Sequence, residues 1–198
     1  MLKKFRYWFV NIYWYHYRLH TAAVLFAGLL IAFCVYSMVT RVTPDVFLTL
    51  ASDKPVGYSQ SDMLNEYVNE KAGGGLTMAG SALYLSESDT MNWELLHVSF
   101  IDNERYLFII GEGLRSFFAE QADLFTPAAD MGLPADPEIP CLVPLTGAPY
   151  LAEAGLDGEP MFGLVKRPAV QKDGLPAPEE KTRQELAAQY LRFLLEGT

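Results

Sequence analysis

The chain has 198 residues, 51% of them apolar and 20% charged, with a formal charge of −9 and an isoelectric point near 4.8. It is too apolar for a disordered polymer and has no collagen or coiled-coil bias. The acidic balance argues against nucleic acid as the main partner.

The charge is unevenly spread. Residues 1–40 hold Lys3, Lys4, Arg6 and Arg18 and no acid, while residues 41–198 hold 11 basic residues against all 24 acidic ones, a net of −13. Residues 1–20 form an aromatic, basic leader. Tyr7, Trp8, Tyr13, Trp14, Tyr15 and Tyr17 suit a membrane–water interface, where a ring sits in apolar surroundings with its polar edge wet. His16 and His20 stand four apart, a spacing that could ligate a metal on a helix. No acid or cysteine accompanies them, so they are read as interfacial histidines.

Residues 21–40 carry no charge, and twenty helical residues rise roughly 30 Å, the thickness of a bilayer's hydrocarbon core. A helix also satisfies its own backbone where there is no water. The run is long for a signal peptide, and SMVTR is a poor cleavage site, so an uncleaved anchor is expected. Four basic residues precede the span and Arg41 and Lys54 follow it, which places the N-terminus in the cytoplasm and residues 41–198 outside. Ala23, Ala27, Gly28 and Ala32 form small-xxx-small pairs that permit a homodimer through the span.

The outer 158 residues suffice for one core. Val46–Ser52 reads as a buried strand. Ser59-x-x-Asp62 reads as a capping box that opens a helix with Leu64, Tyr67 and Val68 inward, ended by Gly73, Gly74 and Gly75. Leu76–Leu85 reads as a second strand. Ser86-x-x-Asp89 repeats the capping pattern before a helix through Met91, Leu95 and Val98 that stops at Asp102-Asn103. Tyr106–Gly111 is the strongest strand, and a helix packing Leu114, Phe117 and Phe118 follows it. This alternation predicts an α/β domain with a mainly parallel, helix-covered sheet. Residues 127–178 hold ten of the twelve prolines and read as an irregular stretch on the sheet's surface, interrupted by short strands at Leu142–Leu145 and Met161–Lys166. A closing amphipathic helix turns Leu186, Tyr190, Phe193 and Leu194 inward, with Glu179 and Glu180 at its start.

Chemistry is sparse. Gly111-Glu112-Gly113 sits where phosphate loops form, but Ser116 stands in place of the third glycine and Glu112 would repel a phosphate, so it reads as a tight turn. His97 is the single histidine of the outer domain, with no activated Ser or Cys identifiable beside it. The carboxylate pairs Glu87/Asp89, Asp102/Glu104, Asp123/Asp130, Asp136/Glu138 and Asp157/Glu159 lack the EF-hand spacing. Phe125, Tyr150 and Phe162 could line a cleft or anchor loops to the core. Cys34 falls in the span and Cys141 in the outer domain, so no intrachain disulfide is expected, and Cys141 reads as buried rather than reactive. None of Asn11, Asn65, Asn69, Asn92 and Asn103 begins a glycosylation sequon, which suits a bacterial surface. No catalytic, cofactor-binding or metal-ligating residue is assigned.

Pro44-Asp45-Val46-Phe47-Leu48, the helix Asp62–Lys71, the strand-turn-helix Tyr106–Phe118 and the closing helix together form a pattern. It resembles uncharacterised single-pass membrane-anchored proteins of Clostridia-type Gram-positive bacteria, whose outer α/β domain resembles one lobe of a solute-binding protein. The resemblance implies no catalytic residues, and 158 residues fall short of two lobes. The expected protein is a membrane-anchored extracytoplasmic binding or assembly module of the bacterial cell envelope. It is not expected to be an enzyme, and its partners would be the lipid bilayer and other envelope proteins. The alternatives are a small accessory subunit of a transporter or secretion complex, and an envelope hydrolase with a cryptic carboxylate or metal site.

Overall fold

A computed structural model describes residues 2–9, 14–39, 43–86, 88–169 and 176–196. The chain forms two units, Met1–Thr43 and Pro44–Thr198. The first holds helices α1 (Leu2–Trp8) and α2 (Trp14–Val39). Within α2, Leu19–Val39 is long and apolar enough to cross a membrane as an anchor or to serve as a signal sequence, and none of it is buried. Residues 21–39 of the expected span thus sit inside a longer helix that starts in the leader. Tyr13 and Thr40 lie outside the described residues, as do the side chains of Trp14, Tyr15, His16 and Arg18.

The second unit is built on a five-stranded sheet. Its strands are β1 (Val46–Ser52), β2 (Met78–Tyr84), β3 (Leu107–Gly111), β4 (Val143–Pro144) and β5 (Met161–Val165), in the order β2-β1-β3-β5-β4. β1 pairs parallel with β2 and β3, whereas β5 pairs antiparallel with β3 and β4. The domain is therefore α/β as expected, but its sheet is mixed rather than mainly parallel. The reason is length. A parallel return needs a helix that carries the chain back along the strand. The helix after β3, α5 (Arg115–Glu120), has six residues and rises only about 9 Å, against about 16 Å for the five residues of β3. The chain stays at the end where β3 finishes, and Met161 of β5 enters opposite Gly111.

Helices cover both faces. α3 (Tyr58–Lys71) and α7 (Pro178–Glu196) pack on one, with Leu48, Leu50, Leu64, Val68, Tyr190 and Leu194 in the core between. α4 (Thr90–Ile101) and α5 cover the other, over Leu96, Phe108, Ile110, Phe118 and Phe125. The alternation in β3 explains the two cores: Leu107 and Ile109 enter the first, Phe108 and Ile110 the second. β3 is buried throughout, as an apolar run without alternation requires.

Three local expectations need correction. α3 starts at Gly57 rather than Ser59, because Gln60 Oε1 accepts the Gly57 N–H at 2.6 Å and closes the first turn from inside. α4 is capped by Asp89 rather than Ser86, with Asp89 Oδ1 accepting the Asn92 N–H at 3.1 Å. Leu96 and Ser99 turn inward, while Met91, Leu95 and Val98 are exposed. Third, the proline-rich stretch is no surface feature. Ala128, Leu133, Leu142, Leu145, Leu151 and Leu156 are buried and fill both cores, where short turns and α6 (Pro149–Glu153) replace long helices. The three glycines after α3 all take positive φ, at 82°, 71° and 113°, which ends that helix as expected.

Candidate functional site at the carboxyl ends of the parallel strands

In an α/β sheet the carboxyl ends of the parallel strands are the usual place for a ligand. Here β1 delivers Ser52, Asp53 and Lys54, and β3 delivers Gly111, Glu112 and Gly113. Because β5 runs the other way, the loop before it brings Gly158 and Glu159 to the same end.

The side chains that meet there bond to one another. Ser52 Oγ donates to Glu159 Oε1 at 2.6 Å and accepts the Lys54 backbone N–H at 3.0 Å. Lys54 Nζ donates to the Gly158 carbonyl at 3.2 Å and lies 3.3 Å from Glu159 Oε2. The two glycines create room for this. A Cβ on Gly111 would collide with Glu159 Oε1 and stand 2.8 Å from Ser52 Oγ, and one on Gly113 would collide with the Asp53 carboxylate. Neither glycine has positive φ, so the requirement is space and not backbone freedom.

This arrangement decides what the Gly-x-Gly turn can do. A phosphate cradle needs open N–H groups and no opposing charge. Here the space is taken by the chain's own carboxylates, Asp53 and Glu159. Ser52 has a carboxylate within reach, the first requirement of an activated nucleophile. It also has no exposed surface at all, so no substrate carbonyl can approach its oxygen. The cluster is a latch that ties the end of β1 to the loop before β5. Gly111→Ala is expected to expel Glu159, break both of its contacts and lower stability by about 1–3 kcal/mol. Chemical denaturation measures this, and a variant as stable as the parent contradicts the latch.

The other singled-out residues serve the fold. Asp136 is buried and receives Arg115 Nη2 at 2.8 Å on Oδ1, while the backbone N–H groups of Glu138 and Ile139 donate to the same oxygen at 2.9 and 3.0 Å. Glu138 meets the same Arg115 nitrogen at 2.9 Å. Burial by itself would raise the Asp136 pKa, but these donors outweigh it and hold the carboxyl below its ordinary value. Asp102 pairs with Arg105 Nε at 3.0 Å and accepts the Glu104 N–H at 2.9 Å. Asp89 is a helix cap, and Glu87 lies outside the described residues. Asp123 and Asp130 lie within two separate short 3-10 turns. Among the described residues, no group of three or more His, Cys, Asp or Glu side chains is placed to hold a metal. His97 is exposed and packs its ring edge-on against Phe117, with centroids 5.9 Å apart. Cys141 is buried, and that burial raises its thiol pKa. Phe125 and Phe162 are buried in the second core, and Tyr150 stacks on Tyr67 of α3. Phe125 anchors a loop, whereas Phe162 belongs to β5 and Tyr150 to α6.

Two of the domain's open grooves lie away from this end of the sheet. One, of about 510 Å³, runs beside α7, where Gln184 Nε2 donates to Thr126 Oγ1 at 2.7 Å and Arg192 donates to the Met131 carbonyl. The other, of about 570 Å³, lies between α3 and α6 and presents Glu66, Glu70 and Glu153 beside the stacked tyrosines. No nucleophile or basic group converges with them beyond Lys71 at its rim.

Sequence reasoning named Glu159 only as half of an acid pair and passed over Ser52, Lys54 and Arg115. A signal was present: an apolar strand ending in Ser-Asp-Lys, facing a Gly-x-Gly turn with space for carboxylates. The chain has no match among protein-family models, curated proteins or solved structures, and no likeness to a solute-binding lobe is shown.

Proposed function

We propose that this protein is a membrane-anchored, extracytoplasmic assembly module of a bacterial cell envelope, without catalytic activity of its own. The observation that carries the reading is the unburied apolar helix Leu19–Val39 on the same chain as a domain of net charge −13. A largely apolar helix of 21 residues in water would be costly, and burial in a bilayer removes that cost at about 25 cal/mol per Å². The basic leader suits the cytoplasmic face, whose anionic lipids repel an acidic domain. The closed Ser52–Glu159–Lys54 latch fits a domain that acts through its surface.

The test uses the full chain with different tags at its two ends. Both tags should remain on one membrane-bound polypeptide, and protease added to intact cells should remove only the C-terminal one. Loss of the N-terminal tag from the mature chain would identify a cleaved signal sequence instead. A C-terminal tag shielded from the protease would reverse the orientation.

A further inference from the structure

Anchoring by Leu19–Val39 leaves the design of the leader unexplained. Setting the orientation of a span takes only basic residues. The leader's first helix also sorts its side chains by polarity. Resting on the membrane-anchored reading, we propose that α1 lies in the plane of the membrane surface and gathers anionic phospholipids. Its rings enter the boundary between headgroups and acyl chains, and Lys4 and Arg6 meet the phosphates.

At 100° per residue, Trp8, Phe5 and Phe9 fall within an arc of about 100°, and Arg6, Tyr7 and Lys4 occupy the opposite side. Ring contacts mark the shared face. The centroid of Phe5 lies 6.3 Å from that of Trp8 and 6.2 Å from that of Phe9, its neighbours three and four positions on. The three rings are nonetheless exposed to 63%, 47% and 39%, and Lys4 and Arg6 are exposed as well. A helix of seven residues is far below the length that is stable alone in water. An interface that takes up the rings on one side and the charges on the other supplies the missing stability.

Chain length puts α1 beside that interface. α2 begins at Trp14, five residues or about 7.5 Å of helix before Leu19. A headgroup layer is of similar depth, roughly 5–8 Å on each side of the hydrocarbon core. Six positions separate Trp8 from Trp14, so the chain holds α1 within roughly 21 Å of that layer. Charge selects the occupant. Residues 1–40 carry four basic residues and no acidic one, so a second copy of the leader would repel the first. Anionic lipids offer both halves of the match, phosphate for the basic side and an apolar boundary for the rings. Arg6 can also hold a phosphate through two parallel N–H groups. The anchor then selects its lipid surroundings as well as its side of the membrane.

The experiment uses the full chain in vesicles of phosphatidylcholine with a minor fraction of phosphatidylglycerol. In one set the phosphatidylglycerol carries brominated acyl chains, and in the other an equal amount of the phosphatidylcholine does. Subtracting the signal of the Trp8→Phe chain leaves the quenching of Trp8 alone. Both lipids occupy both leaflets, so the orientation of the chain does not enter. Brominated phosphatidylglycerol should quench Trp8 at least about twofold more than brominated phosphatidylcholine, and salt should bring the ratio toward one. Replacing Lys3, Lys4 and Arg6 together by Gln should equalise the two lipids without abolishing quenching, because the rings still insert. Phe5→Asp should weaken quenching by both. Equal quenching in the parent overturns the proposal, as does a preference that survives the triple Gln variant. No quenching by either lipid also overturns it and means that protein covers the ring face. A chain that floats with the vesicles and gives any of these three results keeps its anchor and loses only the lipid selection. A chain that does not float with them refutes the anchor itself.

Discussion

Phe118→Ala should lower the stability of the outer domain by about 3–5 kcal/mol. Phe118 is fully buried on α5, and its ring lies among four others. Phe117 and Phe125 stand 5.5 and 5.6 Å from it, Phe100 meets it edge-on at 5.6 Å, and Phe108 is 6.3 Å away. Removing the ring loses its transfer free energy and leaves a cavity that the rigid β3 backbone cannot close. The cost is high because α5 has only six residues and is held by this contact rather than by its own helical stability. Thermal unfolding should show a midpoint lower by roughly 10–15 °C, given a domain of this size. Phe118→Leu should recover more than half of that loss. An alanine variant within 1 kcal/mol of the parent, taken as about the reach of a surface change, would mean that the aromatic cluster is not the core of this face.

Asp136→Ala should cost about 2–3 kcal/mol at neutral pH, because it leaves two backbone N–H groups without their acceptor and Arg115 with the exposed Glu138 in place of a buried partner. The effect should depend on pH in a defined direction. The folded carboxyl lies below its ordinary value, so its contribution is present in full above the unfolded value near 3.9 and is lost as pH falls through the folded one. Parent and variant should therefore converge below about pH 4 and differ most near pH 7. Denaturation curves collected from pH 3 to pH 7 measure this. A gap that stays constant across the range would show that the ionised carboxylate is not what holds the Arg115 loop.

Much of the fold was legible in the sequence because its elements carry their own periodicity. Val46–Ser52 and Tyr106–Gly111 are apolar on both faces, and Tyr190 and Leu194 recur at helical spacing, so their burial follows from pattern alone. The sheet's direction was not legible in the same way. It depends on how far α5 can carry the chain, and the sequence around Leu114–Phe118 reads as helix without revealing that it stops after six residues. The start of α4 was not legible because two capping residues, Ser86 and Asp89, stand three positions apart, and the pattern does not choose between them. The latch was hidden for another reason. Ser52 and Glu159 are 107 residues apart, and only the antiparallel entry of β5 brings them within 2.6 Å.

On the proposed reading, the unburied helix Leu19–Val39 makes this a protein that acts by position and contact. Alkaline carbonate extraction of membranes from cells expressing the full chain tests this most directly. Carbonate strips proteins held by charge or by other proteins and leaves integral chains in the pellet. The chain should stay with the membranes, and a variant lacking Leu19–Val39 should appear in the supernatant. A full chain that washes off with carbonate would contradict the account at its foundation.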